Sequence, residues 1–304
     1  MSIDGVLELY GLHRSTYYGW FDEQGALRPP GERKVTNDRR VLDAEVQAVI
    51  GYRQLHKDVG YRKLTWMMID ENVACLAESA VYQILSDHGM LYGWAAPDSE
   101  GTKKEYQHKP KFPHHHWHTD IAYIKIAGIF YFLIMLLDGY SRFLLGWELM
   151  TDMLGTSVEN FIAKIKEQYP HARPKLIHDN GSQFISHDFK KLMTTLEIQS
   201  VHTRRNHPQT NGKIERMNGT VKNEAIRPGA PSDYQQACAI LNEYAYTYNH
   251  QRLHAGIEFL RPADLFFGRR ERVLKERRQK VTQARSLRRR TNKDAAAHLA
   301  STPV

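Results

Sequence analysis

The stretch HWHTDIAYIKIAGIFYFLIMLLDGYSRFLLGWELM, residues 116–150, reads as three strands in succession. HWHTDIAYIKI, residues 116–126, alternates and is rich in β-branched and aromatic residues, as a strand with two unlike faces does. FYFLIMLLD, residues 130–138, is a continuous apolar run of strand length, suited to burial on both faces. RFLLGWELM, residues 142–150, is the third candidate strand, and Gly139 offers the turn before it.

Downstream, helix and strand alternate. Val158, Phe161, Ile162 and Ile165 have the i, i+3, i+4, i+7 spacing of one helix face. PKLIHDNG is a short strand ending at Asp179, and Phe189, Leu192, Met193 and Leu196 mark a second helix. IQSVHT reads as a fifth strand. HPQTNGKIERMNGTVKNE, residues 207–224, then reads as a loop running into a long helix with Ile214, Met217 and Val221 inward. The order βββαβαβα predicts an α/β fold: three antiparallel strands followed by βα units, in one mixed sheet flanked by helices.

Upstream the pattern is helical. Residues 1–22 contain LELYGLHRSTYYGWF, where Gly11 and then Ser15–Thr16 suggest a helix stop, a turn and a helix start, the end of a partial helix-turn-helix. Residues 23–40 read as a linker. Residues 41–95 form a small all-α block: Val46, Val49, Ile50 and Arg53 fit one helix, Tyr61, Leu64 and Met68 a second, and Ser79 is a plausible N-cap for a third that stops at Gly89. The helices at 61–71 and 79–88 fit a helix-turn-helix DNA-binding domain and equally a plain helical hairpin. Residues 96–111 read as a second linker, 112–267 as the α/β core and 268–304 as a basic helical tail.

Charge is uneven along the chain. Net charge is +8, and residues 269–290 hold eleven Lys and Arg against Glu271 and Glu276, so the rest is near neutral. Such a tail suits nucleic acid, with Arg288, Arg289 and Arg290 as phosphate contacts; a solvated helix with internal Glu–Arg pairs is the bland alternative. The longest apolar run, 126–137, is broken by Gly128 and too short to span a bilayer, which excludes a membrane partner on this pattern. No secretory signal pattern opens the sequence. Two distant cysteines, Cys75 and Cys238, make no disulfide framework and fit a reducing cytoplasm.

Three acids fall where open sheets keep their reactive groups. Asp120 lies in the first core strand, Asp179 closes the fourth, and Glu215 opens the last helix. Any one alone is ordinary: surface acids abound, and Asp before Asn-Gly is a common turn residue. Three carboxylates together repel one another and are stable mainly around cations, and an all-oxygen set with open positions selects Mg²⁺ or Mn²⁺. Two such ions activate a water or a DNA 3′-hydroxyl for phosphoryl transfer. The run HHHWH, residues 114–118, is not read as a zinc site, because adjacent residues converge poorly on one tetrahedral ion. His178 alternates away from Asp179 and is read as packing, as are Trp66, Trp94 and Trp117.

Asp179 and Glu215 have thirty-five residues between them. With the segments WHTD, HDNGSQF and HPQTNGKIERMNGTVKNE, that spacing closely resembles the integrase core of retroviral integrases and bacterial insertion-sequence transposases, most of all the insertion-sequence-three family. The resemblance covers about residues 112–267, ending in YNHQRLHAGIEFLRPADLF, and extends more weakly to the helix-turn-helix. It implies a ribonuclease-H-like fold, with Asp120, Asp179 and Glu215 as catalytic metal ligands, Mg²⁺ as cofactor (Mn²⁺ substituting), two ions, and DNA strand transfer. Beside the acids, Lys222 lies two turns beyond Glu215 and is read as a phosphate contact. Arg204, Arg205, Gln209 and Lys213 are candidate DNA contacts, with plain strand-to-helix connection as the alternative for the loop. Asn206 belongs to the same loop, and Asn180 and Gly181 are expected to shape the turn that aims Asp179.

The expected protein is a transposase. It cuts at the terminal inverted repeats of its element and joins a 3′-hydroxyl to target DNA, as a dimer or larger assembly, in the nucleoid-associated cytoplasm of a bacterium. The alternatives are a non-catalytic DNA-binding regulator, the inactive half of a split transposase needing an upstream-frame partner, and a simple nuclease of the same fold, for which Glu224 and Asp188 are weak extra acids.

Overall fold

In the computed structural model the three strands of residues 116–150 are β1 His116–Ile126, β2 Ile129–Asp138 and β3 Leu144–Met150. The structure describes residues 3, 6–7, 13–21, 24–27, 40–91, 109–179, 181–202 and 212–301, with side chains up to 298. The strands pair antiparallel, β1 with β2 and β2 with β3. β4, Lys175–His178, adds parallel to β1, and β5, Gln199–His202, adds parallel to β4. The sheet order is β3-β2-β1-β4-β5, the mixed ribonuclease-H-like arrangement.

Helices cover both faces, which is why β2 tolerates no polar alternation. Ile134 and Leu136 enter one apolar cluster with Val158, Phe161, Ile162 and Ile165 of α5. Leu133, Met135 and Leu137 enter the other with Ile214, Met217 and Val221 of α8. Here α1 is Arg14–Tyr18, α2 Asp43–Leu55, α3 Tyr61–Asp70, α4 Glu78–Asp87 and α5 Gly155–Gln168. α6 is Ser182–Ile185, α7 His187–Thr195, α8 Gly212–Val221, α9 Tyr234–His250, α10 Pro262–Phe266 and α11 Arg270–Ser301. α8 runs on into a π-helical turn, Lys222–Ile226. Gly146 of β3 has no side chain because a Cβ there would collide with Ile165. That absence seats α5 close on the sheet.

Several local expectations shift. Gly139 does not supply a left-handed turn residue; Arg142 does, at φ 65. Gly139 is needed for close approach: its N–H donates to His116 O at 2.7 Å, and a Cβ would stand 2.8 Å from the His118 ring. β4 stops at His178, so Asp179 sits just past the strand. Ser79 is not the cap of α4, which begins at Glu78 with Ala77 in the cap position. Glu78 instead favours the positive end of the helix dipole. Gly89 at φ 64 ends that helix as expected. α1 begins at Arg14, with His13 in the cap position rather than Ser15.

Residues 44–282 form one compact unit, and residues 1–43 with 283–304 form another. In the smaller unit Asn292 donates to Arg40 O at 2.9 Å. Within the larger unit the basic tail is partly spent on internal contacts. Arg277 is 3% exposed. Its Nε and Nη2 each reach an Asp70 carboxylate oxygen at 2.8 Å, and its guanidinium lies 5.0 Å from the Trp66 ring centre. Lys280 Nζ donates to Ile69 O and Asp70 O at 2.9 Å, satisfying carbonyls at the C-terminal end of α3.

Removing one partner of a buried pair strands the other charge. Arg277→Ala is expected to lower unfolding free energy by about 3 kcal/mol, read from chemical denaturation. Joint replacement of Arg277 by Met and Asp70 by Leu is expected to cost clearly less, because no charge is left uncompensated.

Candidate active site

β1 sits between an antiparallel and a parallel neighbour, and this aligns the first two acids. The β1–β4 register pairs His118 with Ile177. Continued by two residues, it sets Asp120 level with Asp179. Asp179 is held in the turn by the Gly181 N–H, which donates to its Oδ1 at 3.0 Å. α8 brings the third acid. Its inward residues pack on the β1–β2 face, and Asn218 Nδ2 donates to Asp120 Oδ2 at 2.8 Å. Glu215 is one turn before Asn218, exposed, in the first turn of α8.

The acids feel one another. Burial first, then the charges of Asp179 and Glu215, push Asp120 up to about 6, against hydrogen bonds from Ile121 and Asn218. A bound cation would offset both the burial and the repulsion, and three carboxylates are a hard oxygen donor set suited to Mg²⁺ or Mn²⁺. The residues present therefore fit such an ion. Among the described residues no three of His, Cys, Asp and Glu already stand at ligand spacing.

Supporting groups surround the acids. His178 is fully buried and stacks on Phe184, 4.8 Å between ring centres. Its Nδ1 lies 2.7 Å from Asp179 O and its Nε2 2.8 Å from Ser200 Oγ. A carbonyl only accepts, so Nδ1 carries the proton and Nε2 accepts from the Ser200 hydroxyl. Burial lowers His178 to about 4. It is thus a neutral brace on the Asp179 backbone as well as a packing group. Asn218 was not singled out from the sequence; its place three residues after Glu215 was the available signal. Asp138 was also missed. It is fully buried at the end of β2 and accepts from the N–H groups of His114 and Ser141, each at 2.7 Å, and from the Ser141 hydroxyl at 2.6 Å.

The other sequence-derived contacts scatter. Lys213 turns to the β2–β3 hairpin, where Nζ donates to Gly139 O at 3.1 Å. Burial, with Arg142 adding, lowers it to about 7. Lys222 opens the π-helical turn and is half-buried. Arg204, Arg205, Asn206 and Gln209 lie outside the described residues, as do Asn180 and Trp94. On α11, Arg289 and Arg290 are exposed, whereas Arg288 is buried. His114 of the histidine run takes the Trp117 indole N–H at 3.1 Å, and Trp117 is core. Trp66, half-buried, donates to Glu78 at 2.8 Å. Glu224 is committed to Arg252, and Asp188 is exposed in the first turn of α7.

Two family profiles, each described as Integrase core domain, match residues 110–208 and 196–262. The chain is 22% identical over 272 residues to an uncharacterized 31 kDa protein of insertion element IS600 of Shigella sonnei, covering 85% of this chain and 96% of that protein. It is 23% identical to the putative transposase InsK of insertion sequence element IS150 of Escherichia coli, over 86% of this chain and 92% of that one. To the transposase of insertion sequence element IS904 of Lactococcus lactis it is 26% identical over 51% of this chain, and spans 62% of that protein's length. A solved HTLV-2 integrase catalytic core domain in complex with magnesium is 18% identical, with a TM-score of 0.41 over 51% of this chain and 97% of that one.

Hydrogen-bond partners of metal ligands govern affinity by roughly 10–100-fold. Asn218→Ala is expected to weaken Mn²⁺ binding about 10-fold, measured from the resonance signal of free Mn²⁺, with the circular dichroism spectrum unchanged.

Proposed function

The chain belongs to the integrase-core transposases of insertion sequences, which act in DNA transposition and integration, and we propose that Asp120, Asp179 and Glu215 are its catalytic carboxylates and divalent-metal ligands. The observation that carries this reading is the convergence of three chain-distant acids at the β1–β4 strand ends and the start of α8, with Asp120 raised by the other two.

Bound Mg²⁺ or Mn²⁺, in one or two ions, supplies polarisation of a phosphate oxygen and activation of the attacking oxygen. The carboxylates serve as ligands and not as nucleophiles. In the cleavage step a water oxygen bonds to phosphorus and the P–O3′ bond breaks, leaving a 3′-hydroxyl on the element end. In the joining step that hydroxyl oxygen bonds to a target phosphorus, and the target's own P–O3′ bond breaks. Asn218 orients Asp120 by its hydrogen bond, and the His178 imidazole braces the Asp179 carbonyl.

DNA contacts follow from position and charge. Lys213 and Lys222 lie on or directly after the helix that carries Glu215. Arg204, Arg205 and Gln209 precede it in sequence, and Arg289 and Arg290 are exposed on the tail helix, while the burial of Arg288 argues against it as a direct contact. Two element ends must be processed together, so the working form is a homo-oligomer, a dimer or larger. α3 and α4 serve as a helix-turn-helix for the terminal inverted repeats. A protein from an upstream reading frame is a further candidate partner. A reducing bacterial cytoplasm, on the nucleoid, is the setting.

The test uses the gene's flanking DNA as labelled substrate, with Mg²⁺ and then Mn²⁺. Wild type is expected to nick and join it, and chelation to stop both. Glu215→Gln is expected to lower both steps by about 10³-fold or more, the order seen when one member of a cooperating catalytic set is removed, while DNA binding persists. Binding without metal-dependent cleavage in wild type, with any upstream-frame protein supplied, would sink the proposal in favour of a regulator.

A further inference from the structure

Beside the carboxylates, on the hairpin flank of α8, lies a cleft of about 900 Å³. Its walls carry Lys63 of α3, Arg142 of the β2–β3 hairpin, Lys213 and Arg216 of α8, and Arg252 and His254 after α9. Segments far apart in sequence thus aim their cations at one space, and a cleft of that size takes a ligand of nucleotide scale or larger.

The acids nearby do not neutralise this group. Glu224 gives one oxygen to Arg252 Nη2 at 2.7 Å and the other to Arg252 Nε at 2.8 Å and the Tyr244 hydroxyl at 2.9 Å. Asp138 is fully engaged with His114 and Ser141. Arg142 Nη1 and Lys213 Nζ share one neutral acceptor, Gly139 O, at 3.2 and 3.1 Å. The cations act at a common point: His254 is pushed down to about 4 by burial and then by Arg142, Arg252, Arg216 and Lys63. Desolvation lowers Arg142 as well. Gathering half-buried cations without anions is unfavourable unless an outside anion completes the set. Guanidinium forks match the oxygens of a phosphodiester.

Position selects the anion. Arg216 directly follows Glu215 on α8, so one helix presents a carboxylate to the proposed reaction centre and a cation to the cleft. A strand whose phosphate lies at Glu215 has its neighbouring phosphates within reach of that flank. We propose that the cleft grips the phosphodiester backbone of the DNA strand being processed, holding it next to the carboxylates. This rests on the transposase reading and adds a set of positioning residues, Arg142, Arg216, Arg252 and Lys63, which that reading does not require.

The test is equilibrium binding of the full chain to labelled DNA from the gene's flank, by fluorescence anisotropy, with chelator present and salt varied. Each phosphate contact contributes about 0.9 to the salt slope of binding. The Arg142→Gln, Arg216→Gln double variant is expected to bind at least about 10-fold more weakly and to lose about two units of that slope. Should Arg142→Gln perturb the hairpin fold, Lys63→Gln with Arg216→Gln serves, since neither side chain holds backbone; the same two changes are expected. Unchanged affinity and slope, in a wild type that still cleaves its DNA, would overturn the cleft proposal and leave the catalytic reading standing. A wild type that neither binds nor cleaves would overturn both. A second arm adds inorganic phosphate at fixed ionic strength: melting-temperature gain lost in the variant, with DNA binding unaltered, would assign the cleft to a small free anion and overturn the DNA assignment.

Discussion

Everything at the proposed reaction centre depends on the two-sided pairing of β1. Hydrogen bonds to β2 on one edge and to β4 on the other hold it in the middle of the sheet. A central strand cannot slip by one residue without turning its whole apolar set to the wrong face. Here both faces are covered by helices, so register is enforced twice over. The same register aligns Asp120 with the end of β4. The core is thus what fixes the distance between the first two acids, although neither acid belongs to the core.

α8 joins the remaining functions because its sides differ. Ile214, Met217 and Val221 bury against the sheet. Glu215 stands near the acids, Asn218 holds Asp120, and Lys213 and Arg216 line the cationic cleft. The opposite wall is the β2–β3 hairpin. Buried Asp138 ties that hairpin by three short hydrogen bonds, and the left-handed Arg142 places its guanidinium in the cleft. A carboxylate that never meets DNA therefore positions a cation that is proposed to do so.

Charge counted along the chain is a poor guide to charge free for a ligand. The tail from Arg269 carries most of the net positive charge, yet Arg277 and Lys280 are spent on Asp70 and the end of α3. The cleft cations are dispersed in sequence between Lys63 and His254, and no run or local excess marks them. Their concentration exists only after folding.

Periodicity and spacing determined the architecture. The alternating stretch 116–126, the unbroken run after it and the helical repeats at 158–165 and 189–193 reproduce the observed elements to within a few residues, since strand and helix periods are local properties. The positions of Asp120, Asp179 and Glu215 at element ends were legible for the same reason. Tertiary structure alone decided the rest. It revealed that Asn218 and His178 hold the acids, that Asp138 locks the hairpin, that Gly139 serves close approach while Arg142 takes the left-handed turn, and that six cations converge on one cleft. Those facts rest on contacts between residues as much as 98 positions apart. Such contacts leave no local pattern, because what selects them is the packing of elements that the sequence lists separately.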